Sequence, residues 1–185
     1  PQIREALMLY KPPVPVVYNS SGYERVETLR SLSGLVDIYL PDFKYAESAL
    51  AKVLSQAEDY PQAALAAIKE MVEQAGAPVC DEKGIMQKGV LIRHLILPGH
   101  TKNSLEALKL IKENFPGIPV SLMAQYTPQR PVPGCPELSR PITRRELQKV
   151  QDCLFSLDLP GFVQSRSAKG EAYIPDFHQF EKLYR

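Results

Sequence analysis

Short apolar runs recur along the chain, each followed by polar residues and then by a stretch of helical periodicity. Residues 14–19 form the first run, Val-rich and apolar on both faces, as in a buried strand. Glu24 to Ser33 then reads as a helix with Val26, Leu29 and Leu32 inward, stopped by Gly34. Residues 35–40 form a second strand, and Ala46 to Ala57 a short helix. Pro61 suits a first helical turn. From there Ala64, Leu65, Ile68, Met71 and Val72 mark an inward face that ends at Gly76. Residues 90–97 are a third strand and Pro119 to Tyr126 a fourth. Between them Asn103 and Glu106 have the spacing of a capping box, and Leu105, Leu108 and Ile111 face inward.

Strand and helix alternate with short connections, which predicts an α/β fold with parallel strands and right-handed crossovers. The rhythm breaks after the fourth strand, where Pro128 to Pro141 is proline-rich and too long for an ordinary strand-to-helix connection. Thr143 and Glu146 predict a second capping box, opening a helix with Leu147, Val150, Cys153 and Leu154 inward. The tail from Leu159 reads as irregular, with Tyr173-Ile174-Pro175-Asp176-Phe177 as an apolar patch. The division expected is a parallel α/β unit over residues 1–127 and a proline-rich loop with a helical extension over 128–185. At the other end, Ile3, Leu7 and Tyr10 lie on one helical face, like the back half of an amphipathic helix. The chain therefore reads as entering partway through a larger fold.

Charge and cysteine content narrow the class. The 22 basic and 21 acidic residues of the 185 give a formal charge of +1 with no block of one sign, so neither a nucleic-acid footprint nor a polybasic membrane surface is expected. The apolar runs are too short to cross a bilayer. Cys80, Cys135 and Cys153 are odd in number and widely spaced, which favours reduced thiols in a cytoplasmic protein. Cys135 is expected to be exposed in the long loop, with Cys80 and Cys153 as small core residues.

Candidate chemistry sits at the carboxyl ends of the strands, where parallel folds hold ligands. Asn19 and Ser20 end the first strand, within a segment that also favours a simple turn. Asp42 and Lys44 follow the second, either as ligand-binding groups or as a solvated pair. Arg93 and His94 interrupt the third, and alternation sends them to opposite faces. A guanidinium there needs a carboxylate or an anionic ligand, and the histidine would then be a satisfied core residue, or the roles are reversed. Gln125 and Tyr126 close the fourth strand, with Tyr126 either touching a ligand or anchored in the core by its hydroxyl.

Tyr18-Asn19-Ser20-Ser21-Gly22-Tyr23-Glu24, Asp37 to Tyr45, Gly89 to Gly99 and Leu122-Met123-Ala124-Gln125-Tyr126 resemble, in this order and spacing, the radical S-adenosylmethionine superfamily. The branch they are most similar to is that of proteins related to pyruvate formate-lyase activating enzyme. The resemblance implies a partial (β/α) barrel, truncated at its N-terminus, with a C-terminal helical or irregular extension. It implies S-adenosylmethionine and a [4Fe–4S] cluster as cofactors, and a 5′-deoxyadenosyl radical that abstracts hydrogen, in activating enzymes from a glycine of a partner protein. It implies ribose contacts for Asn19 and Ser20, a methionine contact for Lys44, a polar site at Asp42, adenine or ribose contacts for Gln125 and Tyr126, and an electron donor as a further partner. Arg93, if it faces the barrel interior, would serve the methionine carboxylate or the substrate backbone. The superfamily's C-x3-C-x2-C segment and its Gly-Gly-Glu segment are absent from this sequence. The chain is thus expected to be the C-terminal part of such an enzyme, inactive alone because a cluster needs its thiolates. A non-catalytic binding module with an unpaired first strand is the alternative, and a sugar-phosphate enzyme a weaker one, since no Gly-rich phosphate loop is present.

Overall fold

The computed structural model describes residues 2–164. Six helices and seven strands occur among them: α1 Gln2–Leu9, β1 Val17–Ser20, α2 Val26–Ser31, β2 Ile38–Pro41, α3 Ser48–Ser55, α4 Tyr60–Ala75, β3 Val79–Cys80, β4 Met86–Val90, β5 Ile92–Leu95, α5 Thr101–Asn114, β6 Val120–Met123, α6 Arg144–Ser156 and β7 Gly161–Gln164.

Two sheets form, in the orders β1-β2-β4-β3 and β5-β6-β7. All pairings are parallel except that of β3 with β4. The two sheets are joined through β2. The Leu91 N–H donates to the Tyr39 carbonyl at 3.0 Å, Asp42 bridges Arg93 in parallel, and the Phe43 N–H donates to the Arg93 carbonyl at 2.8 Å. The path β4–β5 therefore acts as one strand interrupted at Leu91, and the parallel ladder runs from β1 through to β7. The parallel α/β class expected from the sequence holds. The described strands form open sheets and not a closed barrel.

Residue alternation decides which face carries the core. Tyr39, Val90, Ile92, His94, Val120 and Leu122 are inaccessible to solvent on the face covered by α4 and α5. Their alternates Asn19, Leu40, Arg93, Leu95 and Met123 are exposed or half-buried on the opposite face. Side chains of bridged residues in a parallel pair share a face, so Asp42, Arg93 and Ser121 lie together there.

The structure differs from the sequence reading at several elements. β1 is an edge strand with Val17 half exposed and is not buried on both faces, because it pairs only with β2 among the described strands. α1 has no fully buried residue: Ile3 and Tyr10 are exposed and Leu7 is half-buried, so its apolar face is only partly covered by the described residues. The third strand starts earlier, at Met86, and carries the short antiparallel β3. The segment after Leu159 is not irregular throughout, since β7 extends the sheet from Gly161. The apolar patch at 173–177 lies outside the described residues. Cys135 is buried and Cys80 exposed, the reverse of expectation: Cys135 opens the short 3-10 turn Pro136–Ser139, while Cys80 lies on β3, both of whose residues are exposed.

The Thr143–Glu146 capping box forms as expected, and Glu146 does more than cap. Its carboxylate takes two hydrogen bonds from the Arg140 guanidinium at 2.8 Å each, and one each from the N–H of Gly99 and of Thr143 at 2.7 Å. This ties the long loop, α6 and the β5–α5 turn together. His100 is partly buried with Nε2 2.8 Å from Glu137 in the same loop. Arg140 first, and then the two backbone N–H groups, outweigh partial burial and hold the Glu146 carboxyl well below the usual carboxylate range. A depressed carboxyl stabilises the fold above its unfolded value of about 4.3, and that contribution is lost as pH falls towards the folded value. Glu146→Gln is accordingly expected to lower Tm at neutral pH and to lose less Tm than the wild type on acidification below about pH 4.3. Thermal melts at stepped pH test this, and parallel profiles would contradict it.

Candidate functional site

The parallel strands deliver their carboxyl ends to one side, and the loop after β2 is the centre of that side. Asp42 sits immediately beyond β2 with its carboxylate split between two cations. Oδ1 lies 2.6 Å from Arg93 Nη2, and Oδ2 lies 3.7 Å from Lys44 Nζ. The Asp42 and Arg93 side chains are 16% and 24% exposed, so this pair is largely desolvated, whereas Lys44 at 38% reaches solvent. Arg93 Nε is buried without a hydrogen-bond partner. Two cations share one carboxylate, which leaves a surplus positive charge and an unused guanidinium N–H, an arrangement suited to a carboxylate or similar oxyanion.

Arg93 and His94 take opposite faces, as alternation requires. Arg93 faces Asp42, and His94 is fully buried beneath it with Nδ1 2.7 Å from the Phe43 carbonyl. Burial pushes the imidazole below its usual value, against smaller opposing effects of that carbonyl and of the Asp42 carboxylate. A neutral ring facing a carbonyl carries its proton on Nδ1, so Nδ1–H donates to Phe43. The reading of His94 as a core histidine is the one the geometry fits.

Tyr60 on α4 was not singled out in the sequence. Its hydroxyl accepts from the Lys44 N–H at 2.9 Å, and its one proton is shared between the carbonyls of Ser21 and Asp42, each at 2.9 Å. Burial raises its phenol well above the usual value, so the proton stays in place. The ring stacks on Tyr23 at 5.8 Å and meets Tyr45 edge-on at 5.2 Å, so both strand-end loops rest on one aromatic cluster.

Asn103 departs from expectation. The N-cap of α5 is His100, and Asn103, 2% exposed, faces the β2 loop instead of capping its own helix. Its Nδ2 donates to the Lys44 carbonyl at 2.9 Å, and its Oδ1 accepts from the Ala46 N–H at 2.8 Å.

The remaining candidates are arranged less tightly. Asn19 is exposed on β1, in register with Leu40 and on the face of Asp42. Ser20 Oγ accepts from the Gly22 N–H at 3.0 Å, so it shapes the turn. Gln125 is half-buried just beyond β6. The Tyr126 hydroxyl donates to the Leu138 carbonyl at 2.9 Å, anchoring the long loop. A groove of about 870 Å³ opens elsewhere, beside β1, lined by Ile3, Leu7, Val17, Asn19, Leu32 and Val36 among others. Arg4, Glu27, Thr28 and Ser31 also line it, and none of Asp42, Lys44 and Arg93 does.

An iron–sulfur cluster does not fit the described residues. Cys80 lies on β3, Cys135 in the long loop and Cys153 on α6, and no group of three His, Cys, Asp or Glu side chains among the described residues could hold a metal ion. No described helix is long and apolar enough to cross a membrane.

No protein-family model matches the chain. It is 30% identical over 149 residues, 79% of its length, to an uncharacterized protein of Methanocaldococcus jannaschii. It spans 40% of the length of that relative. Its structure is similar to the crystal structure of a domain of pyruvate-formate lyase-activating enzyme from Bacteroides vulgatus, with a TM-score of 0.64. That likeness covers 89% of this chain and 90% of the other at 11% identity. The chain thus has the fold of a domain of pyruvate-formate lyase-activating enzyme.

Proposed function

We propose that this chain is the C-terminal part of a radical S-adenosylmethionine enzyme of the glycyl-radical activating type. The observation that carries this reading is the Asp42 carboxylate shared between Arg93 and Lys44 at the carboxyl ends of parallel strands. In this reading Lys44 and Arg93 hold the methionine carboxylate, Asp42 aims both cations, Asn19 and Ser20 face the ribose hydroxyls, and Gln125 and Tyr126 flank the nucleoside. A [4Fe–4S] cluster, whose ligands the reading assigns outside this chain, would supply the electron, and S-adenosylmethionine held by these residues would supply the hydrogen-abstracting chemistry. Residues 1–127 are assigned to the ligand-holding sheet, which β7 extends from Gly161, and the long loop with α6 to a cover that includes a contact surface for a protein substrate with a glycine loop. An electron donor and a cytoplasmic location complete the proposal.

The test is equilibrium binding of S-adenosylmethionine to the gene product that carries this chain. A charge-assisted contact of roughly 1.5–3 kcal/mol predicts that Lys44→Ala weakens binding by about 10- to 100-fold. Wild-type affinity in Lys44→Ala, or no binding by the unaltered protein, would overturn the reading. A second reading, a non-catalytic interaction module, is favoured by the edge of β1, which pairs only with β2 among the described strands and whose Val17 and Asn19 are exposed. Binding of a partner strand with no affinity for S-adenosylmethionine would support it.

A further inference from the structure

The segment Asp42–Ala46 follows β2 without being a strand, yet the backbone polar groups of Asp42, Phe43 and Lys44 are all engaged. Asp42 N–H donates to the Ser20 carbonyl at 3.0 Å, and the Phe43 N–H to that of Arg93 at 2.8 Å. The others go to three side chains from three elements: Tyr60 of α4 takes the Asp42 carbonyl and the Lys44 N–H, His94 of β5 the Phe43 carbonyl, and Asn103 of α5 the Lys44 carbonyl and the Ala46 N–H. An irregular segment with such anchorage has one conformation, because each alternative strands a buried donor or acceptor.

We infer that Asn103 is a positioning residue for Lys44. Its amide grips the main chain on both sides of residue 45, so the Lys44 side chain starts from a fixed point and its ammonium searches a small volume around Asp42 Oδ2. Asn103 itself touches no ligand. It acts by removing backbone freedom that a ligand would otherwise have to freeze, which is how a preorganised cation gains affinity. Its own helix has no use for the side chain, since the cap position belongs to His100 and no side-chain cap bond forms. The inference rests on the reading of Lys44 as a ligand contact for its functional half, and on the two amide bonds alone for its structural half.

The experiment is a double-mutant cycle in the gene product that carries this chain, with S-adenosylmethionine as the probe and backbone amide exchange as a readout that needs no ligand. Asn103→Ala is expected to weaken binding roughly three- to tenfold with Lys44 present, and to have no further effect in the Lys44→Ala background. A merely architectural role would produce the same loss in both backgrounds, which would overturn the inference. Exchange of the Ala46 amide is expected to speed up at least tenfold in Asn103→Ala, while amides in β6 keep their protection. Unchanged exchange at Ala46 would overturn the positioning role whatever the ligand does. If exchange speeds up but Lys44→Ala binds S-adenosylmethionine like the wild type, the functional reading fails and the anchoring stands. Should Asn103→Ala fail to fold, Asn103→Asp is nearly isosteric, keeps an acceptor for the Ala46 N–H and removes the donor to Lys44. Loss of affinity in that variant with Ala46 still protected supports the inference, and unchanged affinity overturns it.

Discussion

Replacing Gly22 by alanine is expected to destabilise the protein by about 3 kcal/mol or more, while the same change at Gly34 costs about 1 kcal/mol. The two glycines have nearly the same backbone, φ +76° and +77°, so the left-handed strain of an L-residue is common to both. Their surroundings differ. A Cβ at Gly34 meets nothing within 4 Å, whereas at Gly22 it would lie 2.1 Å from the Asp42 carbonyl oxygen and 3.4 Å from the Tyr60 hydroxyl. The loop after β1 crosses the loop after β2 at this point, and only a glycine allows the approach. Alanine must push Asp42 off the Tyr60 hydroxyl or break the turn set by Ser20. For a chain of this size, roughly 2–4 °C of Tm accompanies each kcal/mol, so thermal or urea unfolding separates the two variants readily. Losses of the same size at both positions would show that the contact with Asp42 is slack. On the proposed function, displacement of Asp42 by Gly22→Ala also weakens S-adenosylmethionine binding, and Gly34→Ala does not.

The second large effect concerns the Arg93–Asp42 pair. Arg93→Leu leaves the Asp42 carboxylate, 16% exposed, with only Lys44 at 3.7 Å as a cationic neighbour. Removing one partner of a fully buried pair costs about 3–5 kcal/mol, and partial exposure here brings the expected loss to about 2–3 kcal/mol. The double variant Arg93→Leu with Asp42→Asn removes the orphaned charge and is expected to recover most of that loss. The proposed function predicts a different pattern for binding. Both the single and the double variant lose S-adenosylmethionine affinity, because the carboxylate-facing guanidinium is gone in each. Denaturant melts and binding isotherms on the same proteins test both halves. An Arg93→Leu protein as stable as the wild type would mean that the pair is idle, and a double variant that binds normally would remove Arg93 from the site.

Much of this arrangement was legible in the chain order. Charged residues inside apolar runs are costly enough that Arg93 needs a carboxylate or an anionic ligand, but that the carboxylate is Asp42 follows only from the bridge between β2 and β5. Opposite faces for Arg93 and His94 follow from a period of two. The Thr143–Glu146 box was visible because both of its partners lie within one helical turn. What stayed hidden involves partners far apart in sequence. Asn103 has the local signature of a cap, and its amide goes instead to Lys44 and Ala46, 59 and 57 residues away. Tyr60 carries no local signal because its three hydroxyl contacts come from Ser21, Asp42 and Lys44. The Val-rich start at residues 14–19 reads as buried because apolar strands usually are, and only the pairing of β1 exposed it as an edge.

By itself the sequence determined the alternation of strands and helices, the polar strand ends and the family resemblance, since each depends on residues a few positions apart and on side-chain periodicity. Tertiary structure alone decided that the β2 loop is clamped from α4, β5 and α5, that Gly22 must pass against Asp42, and that one carboxylate serves two cations. Buried amides, hydroxyls and carbonyls take whichever partner the folded chain brings within about 3 Å, and that choice is made by packing between elements, on which local pattern has no hold.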